Sequence, residues 1–392
     1  MKVLINAVSL VEGGGLVVLT KLAQYLCQNA PSIQWFLLAH PHCLETFTTI
    51  DNLHCLPFVW TNKTPVHFVY LYNVLIPKLI KQFKIDCLFS LTNFLPHRRL
   101  ACPSLLLIHQ VGYFQEPGAC FDLQWGNNFY ERFIWQFKRK WAIHSIRQAS
   151  SITVQTQSLA KVIVNELAIK PAKITVVPHG TGLLNKGLEQ PKASLSSRCI
   201  PWRIGYITKF GIQKDFVTAL KAMAQLKKAG ILFKFILTLD EQDSACIPIF
   251  QTAAAYGLTD DMENHGNLHD NEQLKVIYQS LDIFIFPSLC ESFGFTLVEA
   301  MAHGLPILIA DTPSNREVAG SAGRFFTPRD AGNLAAGLLH LMQSTTHYAS
   351  SARDSIQRAQ FFCWNKTAKA LLKLIRQLTN PLSPQLERSS YA

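Results

Sequence analysis

The 392-residue chain carries ten cysteines but no Cys-x-x-Cys pair and no tight Cys/His cluster. That scatter argues against a zinc site and against a disulfide framework. A reducing compartment is the simpler expectation. No apolar stretch reaches the roughly 18 residues a membrane-spanning helix needs; residues 66–76 come nearest, ending at Pro77. Met1-Lys2 precedes a short apolar run that Asn6, Glu12 and three glycines break, so it reads as a first strand and not a signal peptide. There is no internal repeat of fixed period. No Gly-x-Gly-x-x-Gly stands in a dinucleotide context. No Asp-x-Asp is placed to hold a metal, and no DNA- or RNA-binding motif is recognisable. With 48% hydrophobic residues, the composition fits neither disorder, collagen nor a coiled coil.

What is present is ample core material and an uneven charge. The net charge of +11 divides into +8 over residues 1–180, with 16 Lys+Arg against 8 Asp+Glu, and +3 over the remaining 212. A basic first half suits an anionic membrane surface, an anionic substrate or nucleic acid, or it is ordinary solubility charge.

Strand and helix signals alternate along the whole chain, the pattern of an α/β protein with mostly parallel sheets. Strands are expected at 3–5, 35–39, 87–90, 104–108, 151–154 and 174–177. After a polar linker, roughly 181–199, a second series follows at 203–207, 232–239, 262–268, 281–286 and 306–310. Gly13-Gly14-Gly15 reads as a flexible turn before a helical run at 16–26. Further helical runs lie at 216–227, 271–279, 330–342 and 351–378. The last fifteen or so residues read as a loose tail. Two Rossmann-like domains imply a cleft between them, because ligands bind beyond the carboxyl ends of the strands.

The chemistry concentrates at residues 286–311. Glu291 and Glu299 bracket Ser292-Phe293-Gly294-Phe295-Thr296, between an apolar strand and a helix start, where backbone N–H groups and a dipole end favour an anion. Thr296-Leu297-Val298-Glu299 also matches a capping box, so Glu299 either caps its helix or holds a ribose diol. Glu291 reads as a loop charge that is either solvated or functional. Lys209 and Lys214 follow the strand at 203–207, where a diphosphate needs positive charge. His109 stands at the carboxyl end of an apolar strand, in line with the cleft. Residues 133–147 mix Phe133, Trp135, Phe137 and Trp141 with Lys138, Arg139, Lys140 and Arg147. That helix either packs its aromatics inward or lies on a membrane surface.

Together these pieces resemble the retaining GT-B glycosyltransferases related to glycogen synthase, known as glycosyl transferases group 1. Glu291 and Glu299 match the family's E-x7-E motif, and 300–306 its continuation. Lys209 and Lys214 match its basic pair, with Thr208 and Asp215 standing where glycine is common. Gly13-Gly14-Gly15 resembles its glycine loop, His109 its histidine, and Phe362-Cys363-Trp364 the signal that opens its C-terminal helix. The resemblance implies a GT-B fold with an acceptor domain at 1–182, a donor domain at 183–358, a helix at 359–380 returning to the first domain, and a tail at 381–392. It implies metal-independent, retaining transfer from a nucleotide-diphosphate sugar, used as co-substrate, with no cofactor and no nucleic acid partner. The acceptor expected is a lipid-linked or polysaccharide precursor of the lipopolysaccharide, O-antigen or capsule type. The location expected is the cytoplasm, at the inner face of an anionic membrane. Glu291, His109, Lys209 and Lys214 would be catalytic. Gly14, Gly15, Lys209, Lys214, Gly266, Leu268, Glu291, Ser292, Phe293, Gly294, Phe295, Thr296 and Glu299 would bind the donor. A GT-B nucleotide-sugar epimerase and a non-catalytic glycan-binding module are the alternatives.

Overall fold

Buried, near-continuous apolar strands organise two separate parallel sheets. A computed structural model describes residues 1–59, 64–114, 129–182, 201–268 and 270–380. The expected linker lies almost wholly outside the described residues, and so does the tail at 381–392. The first sheet comprises β1 (Lys2–Asn6), β2 (Gln34–Ala39), β3 (Leu53–Pro57), β4 (Cys87–Ser90), β5 (Ser104–Leu107), β6 (Ser151–Val154) and β7 (Ile174–Val176), ordered β3-β2-β1-β4-β5-β6-β7. The second comprises β8 (Trp202–Tyr206), β9 (Phe233–Leu237), β10 (Met262–Asn264), β11 (Ile283–Phe286), β12 (Ile307–Ala310) and β13 (Arg324–Phe326), ordered β10-β9-β8-β11-β12-β13. Every pairing is parallel; Ile5 registers with Leu37 on one side and Phe89 on the other. Strands such as β11, buried at every position, have both faces covered by helices.

In each sheet the chain starts in the middle and reverses direction of travel once. The switch point lies between β1 and β4 in the first sheet and between β8 and β11 in the second. Loops leaving those strands diverge to opposite faces and open a crevice. The expected site residues follow β1, β8 and β11, so topology alone gathers them. The α/β, GT-B expectation therefore holds.

Several elements differ from the sequence reading. Gly13-Gly14-Gly15 is not a turn but the first turn of the helix Gly13–Asn29. Strands β3 and β13 were not anticipated; β3 is half-exposed and β13 has only three residues. The strand expected at 262–268 stops at Asn264. The run at 351–378 is two helices, Thr345–Ala359 and Trp364–Thr379. The break lets the second helix cross to the first domain, where Trp364, Ala368, Leu371 and Ile375 join the core around β1. Trp364 Nε1 donates to the Thr181 carbonyl at 2.7 Å and Thr367 Oγ1 to that of Pro178 at 2.7 Å.

The apolar run at 66–76 also continues through Pro77. Residues 65–83 form one helical stretch, Pro65–Tyr70, a π turn at Leu71–Leu75, and Ile76–Phe83. A proline cannot donate to the fourth residue before it and its ring crowds that carbonyl; the widened turn just upstream absorbs both. No helix among the described residues is long and apolar enough to cross a membrane.

Candidate active site

The two domains meet through specific polar contacts. Glu317, on the second-domain helix Pro313–Ala319, accepts from the backbone N–H groups of Gln157 (2.6 Å) and Ser158 (2.8 Å). These open the first-domain helix Gln157–Leu167, so a carboxylate satisfies donors that a helix start leaves unpaired. Beside it, Thr156 Oγ1 donates to the Ser292 carbonyl at 3.2 Å.

Two ion pairs occupy the crevice. Lys209 follows β8 and reaches Glu12 Oε2 at 2.7 Å. Glu12 precedes the glycine helix of the other domain but makes no side-chain cap to it, because the carboxylate points across to the lysine. A Cβ on Gly13 would lie 3.9 Å from Lys209 Cε. Lys214 pairs with Glu291 Oε1, which also accepts from Ser288 Oγ at 2.6 Å. Both side chains of this second pair are only 15% exposed. The 3-10 turn that carries Lys214 is tied down by Tyr206 Oη donating to its carbonyl at 2.8 Å, and by Leu289 N–H donating to Gln213 O at 2.8 Å. Glu291 is thus no free loop charge; it is held by a serine and a lysine.

The capping-box reading of Glu299 is corrected. The helix is Phe295–Ala302 and its N-cap is Gly294 at φ +79°, with no side-chain cap, so Thr296 lies inside the first turn. A left-handed N-cap favours glycine, and Gly294 moves the start of the helix two residues upstream of the box. Glu299 is instead buried between the domains, accepting from Tyr278 Oη at 3.2 Å. A Cβ at Gly182 would come within 2.3 Å of Glu299 Oε1, so only glycine lets the first domain close over it. Burial pushes the Glu299 carboxyl up to about 8.

Phe293 and Phe295 turn their rings to the first domain. His179 stacks on Phe295 (5.4 Å between centroids) and on Trp364 (5.3 Å), and meets Phe293 edge-on at 5.4 Å. Both His179 ring nitrogens are buried, without a hydrogen-bond partner among the described residues. Burial, with a smaller contribution from nearby His109, lowers its pKa to about 3. His109 itself, one residue beyond Ile108, is brought down to about 4 by burial. Its backbone N–H donates to Asn93 Oδ1 at 2.8 Å, joining the ends of β4 and β5.

Gly14 reaches the same place, a Cβ there lying 3.0 Å from Phe295 Cδ2, whereas Gly15 packs on Leu10 of its own domain. Gly266 and Leu268 follow the edge strand β10, two strands from β8, apart from the ion pairs. Glu12, Tyr278, His179, Gly182 and Glu317 were not anticipated from sequence. For Glu12 the signal was its place against the glycine triplet. For the others the partner is over a hundred residues away, or lies on a neighbouring helix. Among the described residues no group of three His, Cys, Asp or Glu is placed to hold a metal ion.

Two facing Rossmann-like domains, with Glu12 at the first switch point and Lys209, Lys214 and Glu291 at the second, define the GT-B architecture. Residues 194–361 match the family model described as Glycosyl transferases group 1, and residues 12–183 match Glycosyltransferase Family 4. The chain belongs to the GT-B glycosyltransferases of group 1. An MMP alpha-(1->4)-mannosyltransferase from Mycolicibacterium hassiacum is 27% identical over 227 residues, 57% of this chain and 53% of that protein. The chain spans about half the length of the curated relatives it matches first. Among solved structures, a sucrose-phosphate synthase from Thermosynechococcus elongatus has a TM-score of 0.73 at 18% identity, covering 97% of this chain and 100% of that one. The Anabaena protein HepE in complex with UDP-glucose has a TM-score of 0.70 at 17% identity, covering 96% and 100%.

Proposed function

We propose that the protein transfers a sugar, with retention at the anomeric carbon and without a metal, from a nucleotide diphosphate to a lipid-linked or polysaccharide-precursor acceptor. The observation that carries this reading is the placing of Lys209 and Lys214 after β8, each already paired with a carboxylate that faces the crevice. In the reaction the bond from C1 to the diphosphate breaks and its electron pair stays on the diphosphate. The bond from C1 to the acceptor oxygen forms and the hydroxyl proton passes to the departing diphosphate. Negative charge grows on the diphosphate, and fixed cations in a closed cleft stabilise it. Lys209 would exchange Glu12 for phosphate, and Lys214 would share its ammonium between Glu291 and phosphate. Glu291 and the backbone of 292–296 would then meet the transferred sugar, and Glu299 the ribose once the cleft opens. HepE binding UDP-glucose supports a nucleotide-sugar donor. The basic first half supports an anionic, membrane-borne acceptor on the cytoplasmic face.

Substituting Lys209→Ala or Lys214→Ala should each lower turnover by roughly a hundredfold, the scale of losing one charge-stabilising donor. Near-wild-type rates in both would refute the phosphate assignment. A thermal-shift screen with UDP, GDP and ADP identifies the base, since a ligand at 100 times its Kd stabilises by about 2.7 kcal/mol.

A further inference from the structure

The first domain contains a cavity of about 400 Å³, within the range of small-ligand sites. Phe68, Phe94, Tyr113 and Phe137 line it, with His109 and Lys138. Most of its other polar lining is already engaged. Tyr72 Oη and Thr92 Oγ1 are 2.6 Å apart in a buried network with Asn6 and Ser90. Asn93 Oδ1 accepts from the backbone N–H groups of His109 and Gln110. His67 Nδ1 lies 2.7 Å from Thr64 Oγ1.

What the cavity offers a ligand is therefore mostly aromatic surface and one cation, with the polar side chains of His109, Ser9 and Gln110 in addition. A bare glycan needs many hydrogen-bond partners, which this lining does not have to spare. Lys138 is half-buried, and among the described residues its ammonium has no hydrogen-bond or ion-pair partner. Burial lowers its pKa, so an anion beside it would restore what the ammonium lost in leaving water. The aromatic helix that carries Lys138 spends Phe137 and Trp141 on packing, Trp141 Nε1 donating to the Leu95 carbonyl at 2.7 Å, and leaves Phe133 59% exposed.

We propose that this cavity is the acceptor site and that it selects a phosphate-bearing amphiphile. The apolar chain lies against Phe68, Phe94 and Phe137, the phosphate meets Lys138, and the hydroxyl to be glycosylated stands toward His109. The assignment rests on the glycosyl-transfer reading for the role of the ligand, but its binding is testable alone.

Calorimetric titration with farnesyl phosphate, farnesol and inorganic phosphate, each below any micellar concentration, separates the parts of this ligand. The wild type should bind farnesyl phosphate at least tenfold more tightly than farnesol, the scale of one hydrogen bond to a charged group. Lys138→Gln should bring the two to parity, and Lys138→Arg should keep the preference. Equal binding of farnesyl phosphate to wild type and Lys138→Gln would overturn the assignment. So would binding of inorganic phosphate as tight as farnesyl phosphate, or no binding of either lipid. UDP, GDP and ADP titrated into the same preparation test the donor site separately. A protein that binds a nucleotide but neither lipid keeps the transferase reading and loses this one.

Discussion

A carboxyl group shut between two domains is held in its neutral form, and Glu299 shows the consequence. Its folded pKa, about 8, lies above the ordinary carboxyl value of 4.5. The stability this contributes is full below pH 4.5 and is lost as pH rises through about 8. Glu299→Gln keeps the shape and removes the titration. The difference in melting temperature between wild type and Glu299→Gln should therefore move in the variant's favour from pH 5 to pH 8.5, by an amount worth a few kcal/mol. Parallel curves across that range would mean that the carboxyl is hydrated and charged in the folded protein. At this scale the sequence was readable where a residue follows the carboxyl end of an apolar strand at the switch point. Glu291 and Lys214 stand at the ends of adjacent strands and do meet. It was not readable for Glu299, because the groups that bury it, Gly182 and Tyr278, belong to another domain and another helix.

Elements fail or hold according to how much of their signal is local. The apolar strands announce themselves, since burial on both faces demands unbroken hydrophobic runs. Helix starts do not, because backbone conformation at one residue overrides a side-chain pattern. Gly294 displaced the expected cap, and the glycine triplet became a helical turn. Asp215 makes the same point at the helix Phe216–Lys228. It caps that helix by accepting from Thr218 N–H at 3.3 Å while its backbone sits at φ +47°, in the left-handed region. Glycine would relieve the backbone but lose the side-chain cap, a loss of only a few tenths of a kcal/mol. Alanine would lose the cap and keep the strain. In urea unfolding Asp215→Gly should stay near wild type, and Asp215→Ala should fall by about 1–2 kcal/mol. Equal losses in the two variants would refute the conformational part of this account.

For the whole molecule the governing quantity is the closing of one domain on the other, and two features set it at neutral pH. Glu317 holds the helix start at Gln157 through two backbone N–H groups, a charge-assisted contact assisted by the helix dipole. His179, buried, and His109, half-buried at the cavity, stand near each other at the boundary with depressed pKa values, about 3 and about 4. Their contribution is full above the ordinary histidine value of 6.5 and is lost as pH falls from there toward 4 and below, because each must take up a proton it cannot solvate. Acid should therefore loosen the closed form between pH 6 and 4. His179→Phe preserves the stack on Phe295 and Trp364 and removes one of the two groups, so it should reduce the acid sensitivity. Glu317→Ala should loosen closure at neutral pH as well, since the two N–H groups are left to water. Small-angle scattering on the ligand-free protein reads both effects as a larger radius of gyration: for Glu317→Ala at pH 7.5, and for the wild type, more than for His179→Phe, at pH 5. An unchanged radius for Glu317→Ala would show that the aromatic stack around His179, and not the carboxylate, carries the closure.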